Sequence, residues 1–142
     1  MANLEGGLIR GLSVYSMDLG GISSHDFQHA TSSSSDVCAR MIEDLGPENK
    51  VLLLPNHGAI TIGETLHEAF YLTYELVEAC KVQIMTQSCA NSQTGYSVVD
   101  EQIVDETYRI VQNNYTGNEF GKLEWDAVKR KMEAQQGTGY KQ

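Results

Sequence analysis

The stretch that decides the fold is KVLLLPNHGAITIGETLHEAF, residues 50–70. Val51–Leu54 is an apolar run without alternation, the pattern of a strand covered on both faces, as in α/β sheets. Pro55 can stand only at the end of that strand, because it has no N–H to give to a ladder. Asn56-His57-Gly58 then reads as a tight turn, and residues 58–63 as a short partner strand with Ile60 and Ile62 on one side. Thr65-x-x-Glu68 is a capping box that opens a helix. A lone histidine at the exposed end of a buried strand suits a metal ligand or a catalytic base. It equally suits a turn that happens to contain an imidazole.

Beyond this stretch, Leu66, Ala69, Phe70, Thr73, Leu76, Val77, Cys80 and Ile84 recur at intervals of three and four. That spacing predicts an amphipathic helix over 65–89 with its apolar stripe on the sheet. Upstream, residues 6–30 read as short strands, with glycines mixed among Leu8, Ile9, Leu12, Val14 and Met17. Ser33 with Asp36 resembles a helix cap, and Val37, Met41, Ile42 and Leu45 fall on one face of a helix over 33–45, stopped by Gly46-Pro47. Downstream, a loop follows Ala90, and a helix over 98–113 carries Val99, Ile103, Val104, Ile110 and Val111. A last helix over 123–136 carries Leu123, Val128 and Met132, with Trp125 or Phe120 as its docking anchor, and the tail 136–142 is expected to fray.

Together the 142 residues make one domain's worth of chain, and 41% hydrophobic residues place it among globular proteins. With 19 acidic against 10 basic residues the net charge is −9, which argues against a nucleic-acid partner and against electrostatic membrane binding. No apolar run approaches the ~20 residues of a transmembrane helix. The opening MANLEGGLIRGLSV lacks a basic segment followed by an apolar one, so no secretory signal is read there. Cys38, Cys80 and Cys89 are odd in number and lack CxxC spacing, which favours reduced thiols and a cytoplasmic location. The Asn114-Tyr115-Thr116 sequon is expected to go unused for the same reason.

His57 is the leading candidate for chemistry, since imidazole is the commonest metal ligand and strand ends are where α/β folds hold ligands. One histidine is not a site, because zinc catalysis requires about three protein ligands and an open position. His25 and His29 are four apart with Asp26 between them, but their strand-and-turn context makes them a solvated pair. His67 reads as a surface residue in the first turn of the long helix. The glycine doublets 6–7 and 20–21 lack the spacing of a phosphate loop, and Ser32–Ser35 lack a base to activate them.

The segment 50–90 resembles the class II aldolase/adducin family, and within it the head domain of the adducin branch. The apolar strand, Asn56-His57-Gly58, Gly63-Glu64-Thr65 and Glu68-Ala69-Phe70 carry the likeness, and Ala79-Cys80-Lys81-Val82-Gln83 is similar to the adducin branch in particular. Upstream, Ser24-His25-Asp26-Phe27 stands where that branch has a similar short motif. The resemblance implies a three-layer α/β domain, a mixed β-sheet flanked by helices. In the aldolase branch the histidine of this turn is one of three zinc ligands, so His57 is the matching position. The other two come from an H-x-H on an earlier strand, and no H-x-H occurs in this sequence.

By this resemblance the chain corresponds to the carboxyl half of the family domain, truncated on the amino-terminal side, as a single unit over 1–142. The expectation is therefore a non-catalytic module, without a cofactor, that self-associates and belongs to the actin–spectrin membrane skeleton, in the cytoplasm or at the plasma membrane. The alternative is a zinc-dependent aldolase or epimerase acting on a sugar phosphate, which would need the missing half. A second alternative is a short isoform that modulates full-length relatives.

Overall fold

The computed structural model describes residues 6–26, 34–90, 95–114 and 119–139. After a 3-10 turn at Arg10–Leu12 come α1 (Val14–Met17), β1 (Ile22–Ser24), α2 (Ser34–Leu45), β2 (Val51–Leu54), β3 (Gly58–Thr61), α3 (Leu66–Cys89), α4 (Glu101–Asn114) and α5 (Lys122–Gln136). The sheet has the order β1-β2-β3. β1 runs parallel to β2 with Ile22 opposite Val51, and β3 returns antiparallel with Thr61 opposite Val51. The α/β class and the mixed sheet flanked by helices follow the expectation.

Val51, Leu52 and Leu53 are all buried, as an unalternating apolar strand requires. Val51 and Leu53 point into the core with Leu72, Leu76 and Ala79 of α3 and with Leu8, Leu19 and Phe120. Leu52 points to the opposite face. Ser23 is its registered neighbour on β1, and the Ser23 hydroxyl donates to the carbonyl of Leu45 at the end of α2 (3.0 Å). That bond places α2 on the Leu52 face, so the sheet lies between α2 and α3. On the α3 side, the Thr61 hydroxyl reaches the carbonyl of Ala69 (3.1 Å) and the hydroxyl of Thr73 (2.6 Å).

Several local expectations are corrected. Residues 10–17 are not a strand. Ser13 accepts from the amide of Ser16 (3.2 Å) while the Ser16 hydroxyl accepts from the amide of Ser13 (3.1 Å), and this reciprocal cap closes one helical turn. At the Gly20-Gly21 doublet, a Cβ at Gly20 would meet the Tyr108 ring at 2.6 Å, and one at Gly21 the Asn49 amide at 1.8 Å. The doublet is there to let α4 and the α2–β2 loop close on β1.

The helix expected from 98 begins at Glu101, because Val99 is drawn into extended pairing with Gly11 (N–H to carbonyl, 2.9 Å) and Asp100 caps the amide of Gln102 (2.9 Å). Ile42, expected on the buried face of α2, is exposed. Ile60 and Ile62 also stand exposed, because they share the Leu52 side of the sheet and α2 packs on β1 and β2.

The largest correction concerns α3. Leu66, Val77 and Ile84, expected on the sheet, are 71%, 45% and 50% exposed. Leu76 is buried as expected, and Cys80 packs against the core, but the other buried residues are Glu68, Leu72, Glu75, Ala79 and Gln83. Phe120 is the anchor of α5: it packs edge-on against Tyr71 at 4.9 Å, while Trp125 meets Phe70 at 5.3 Å. The proposed Ser33 cap and the sequon residues Tyr115 and Thr116 lie outside the described residues, as does His29.

Candidate functional site

Two arrangements carry titratable groups: the strand-end turn at His57 and a buried acidic knot behind α3. The turn is built by the end of β2. Pro55 ends the ladder, and the amide of His57 closes the turn onto the carbonyl of Leu54 (3.0 Å). Asn56 takes the left-handed conformation (φ 66°), which asparagine tolerates better than most residues, and Gly58 (φ 144°) enters β3 where a side chain would be strained. This geometry leaves His57 exposed, with Nδ1 only 3.4 Å from the carbonyl of Pro55.

Beside the turn lies an open groove of about 530 Å³, floored by Leu53, Ala59 and Leu76 and walled by Val77, Cys80 and Ile84 of α3. Its polar groups are few, chiefly the His57 turn and Lys81.

His25 reaches the same end of the sheet from β1, and its amide donates to the carbonyl of Leu53 (2.9 Å). Its side chain is buried rather than solvated, a correction to the expected surface pair. Nδ1 lies 2.6 Å from a carboxylate oxygen of Asp44, so the ring turns toward α2 and not toward His57. His67 is half-buried in the first turn of α3. Among the described residues, no three histidine, cysteine or acidic side chains come close enough together to hold a metal. The donor set therefore does not fit the zinc that the family resemblance implies, and His57 stands as one imidazole at a strand end. All three cysteines carry free thiols, and burial pushes the Cys80 thiol up, away from reactivity.

The second arrangement was not anticipated. Asp18, at the end of α1, is 8% exposed, and Glu75, in the middle of α3, is 5% exposed. The Tyr71 hydroxyl, one turn before Glu75, donates to Asp18 (3.2 Å), while the other Asp18 oxygen has no hydrogen-bond partner. Burial, reinforced by Asp18, pushes the Glu75 carboxyl up to about 7. Burial likewise raises Asp18 and, with Glu75 and Asp18 nearby, raises Tyr71. Two carboxyls enclosed this closely cannot both ionise cheaply, so one holds a proton near neutrality. The grooves lined by Leu53 and Leu76, by Met85 and Tyr96, and by Trp125 and Met132 do not include Asp18, Tyr71 or Glu75. The knot is a proton-sensitive contact between α1 and α3. The i, i+4 pair Tyr71–Glu75 inside a helix was its only trace in the sequence.

Two further polar side chains hold the frame. Glu68 joins the cap of α3 to β2: Thr65 accepts from its amide (3.2 Å), while its carboxylate accepts from the amide of Glu64 (2.7 Å) and binds Lys50. The expected box is thus half formed, its return bond displaced by one residue. Burial alone would lower the Lys50 ammonium, but its bond to Glu68 and that residue's charge outweigh burial and hold it up. Gln83, 1% exposed, accepts from the amide of Ile9 (2.7 Å) and donates to the carbonyl of Gly7 (2.9 Å), fastening the amino-terminal segment to α3.

Residues 1–84 match the family model described as the Class II Aldolase and Adducin N-terminal domain. Alpha-adducin of Mus musculus is 34% identical over 89 residues, which are 63% of this chain and 12% of the relative. The chain thus spans only a small part of that relative's length. A crystal structure of an aldolase II superfamily protein from Pseudomonas syringae matches with a TM-score of 0.78 at 23% identity, over 96% of this chain and 52% of that one. L-fuculose 1-phosphate aldolase from Glaciozyma antarctica gives 0.70 at 20% identity, over 96% and 47%. At such identities these two structures speak for the fold alone.

Proposed function

The chain belongs to the class II aldolase and adducin family, and on that premise we propose that it is a non-catalytic assembly module. Its partners are other copies of itself and components of the actin–spectrin membrane skeleton, met at the cytoplasmic face of the plasma membrane. The observation that carries this reading is the outward apolar stripe of α3, with Leu66, Val77 and Ile84, beside β3, which is an edge strand among the described residues. A free strand edge next to exposed aliphatic side chains invites a protein partner. Similarity to alpha-adducin supports the skeletal assignment. No helix among the described residues is long and apolar enough to cross a membrane.

Co-sedimentation with actin filaments, with and without spectrin, tests the reading. Pelleting that Val77→Ser/Ile84→Ser abolishes supports it, and no pelleting in either condition removes the skeletal assignment. A second reading is favoured by His57 at a strand end beside a groove: a sugar-phosphate aldolase or epimerase whose remaining zinc ligands come from another chain. Metal analysis of the purified protein separates the two. Stoichiometric zinc that disappears in His57→Ala would overturn the non-catalytic reading.

A further inference from the structure

We propose that the Asp18–Tyr71–Glu75 knot is a proton-operated latch for α5: while the knot holds a proton, α5 stays seated on α3, and when the proton leaves, α5 lifts away.

The latch is built at the root of α5. Phe120, 6% exposed, packs edge-on against the Tyr71 ring. Gly121 follows in the left-handed conformation (φ 75°), so close that a Cβ there would meet the Cβ of Tyr71 at 2.5 Å and the carbonyl of His67 at 2.7 Å. The far end of the Tyr71 side chain is the hydroxyl that donates to Asp18 and faces Glu75. One ring thus has the knot at its tip and the start of α5 at its base. Glu124, in the first turn of α5, adds a third carboxylate near Glu75 and Tyr71.

A phenol carries a single hydrogen to donate. With Glu75 protonated, that hydrogen satisfies Asp18. With Glu75 ionised, two buried carboxylates compete for it, and both repel Glu124. The cations on neighbouring elements are engaged elsewhere. Arg10 of the 3-10 turn pairs with Asp105 (2.8 Å), Lys81 with Glu78 (2.6 Å) and Lys122 with Asp126 (2.6 Å), while Lys50 is bound by Glu68. Lys129, Arg130 and Lys131 are exposed further along α5, as are Glu106 and Arg109 on α4, and β3 has no charged residue.

α5 is the element that yields. It has no fully buried residue and packs on α3, whereas α1 is held by the serine cap, the 3-10 turn and α4. Local opening follows the weakest packing. Release lets water reach Glu75 and takes Glu124 away, so the open form holds the proton less tightly than the seated one. The Glu75 carboxyl, raised from 4.5 to about 7 in the seated form, therefore favours seating in full below about 4.5. That preference is lost as pH rises to about 7, so the helix loosens on approach to neutrality and bares Phe70 and Tyr71 on α3.

Native-state amide exchange of the whole chain tests this. Between pH 5 and pH 8 the opening equilibrium of α5 amides, corrected for the intrinsic exchange rate, should rise about thirtyfold. At each pH α5 should open more readily than β2. The single tryptophan gives a second readout: Trp125 emission should shift to the red as α5 leaves Phe70. Glu75→Gln should flatten both responses, and Glu124→Gln should lower α5 opening at pH 8 about threefold.

α5 and β2 amides that open with the same free energy at every pH would mark a single global unfolding and overturn the latch. So would an α5 opening that ignores pH, or a response that survives in Glu75→Gln. Should Glu75→Gln fail to fold, Asp18→Asn takes its place: without the facing charge the response should move to lower pH, and an unmoved response would overturn the proposal.

Discussion

The two sides of α3 reverse the usual assignment of residues to inside and outside. The side packed on the sheet and on α1 contains Glu68, Glu75 and Gln83, whereas the side turned to solvent contains Leu66, Val77 and Ile84. On the buried side each polar group has a specific task. Glu68 ties the cap to Lys50, Gln83 grips backbone, and Glu75 shares the acidic knot with Asp18. On the outer side Leu66, Val77 and Ile84 present an apolar surface. Polarity inside this helix serves the fold, and apolarity outside it carries the proposed partner contact.

The largest way to break this contrast is to hollow the buried side. Leu72→Ala should lower unfolding free energy by about 3 kcal/mol, read from urea denaturation, because a fully buried leucine is replaced by a cavity. Gln83→Ala should lower it by about 2 kcal/mol, since the amide of Ile9 and the carbonyl of Gly7 lose their partner inside the protein. Its measurable signature is faster amide exchange and easier proteolysis near residues 7–12.

Glu75→Gln sharpens the contrast with the opposite sign. The folded carboxyl lies near 7, raised from 4.5, so the folded state holds a proton that the unfolded state releases. Its contribution is present in full below the unfolded value, falls as pH rises from about 4.5 to about 7, and is then gone. The wild type should therefore lose about 2 kcal/mol across that interval, after allowance for partial solvent access. The variant should lose much less and be the more stable of the two at pH 8. The smallest effect belongs to the outer side: Val77→Ser/Ile84→Ser should change the monomer by under about 1 kcal/mol while lowering partner binding.

The elements whose information is local were legible in the sequence. Val51–Leu54 announced a two-sided strand, Pro55 its end, and Thr65 the start of a long helix. Phe120 or Trp125 was rightly expected to dock the last helix. What was not legible depended on distant partners. Residues 10–17 looked extended because their helical turn is held by a serine–serine cap rather than by apolar periodicity. The face of α3 was misplaced because apolar spacing cannot report that two glutamates and a glutamine have partners 18, 57 and 76 residues away, at Lys50, Asp18 and Gly7. His57 was legible as a strand-end residue, and the burial of His25 against Asp44 was not, since that pairing spans the whole of α2.

Gln83 has one more consequence. It holds the amino-terminal segment by one amide and one carbonyl, as a neighbouring strand would, yet it does so from a helix and without reading any side chain. Sequence tolerance should therefore be lopsided across the contact. In a saturation library, position 9 should accept many replacements that keep its backbone extended. Position 83 should accept almost none, because no other residue offers a donor and an acceptor at that reach. The segment's attachment is written at one position in the helix and can drift freely at the other.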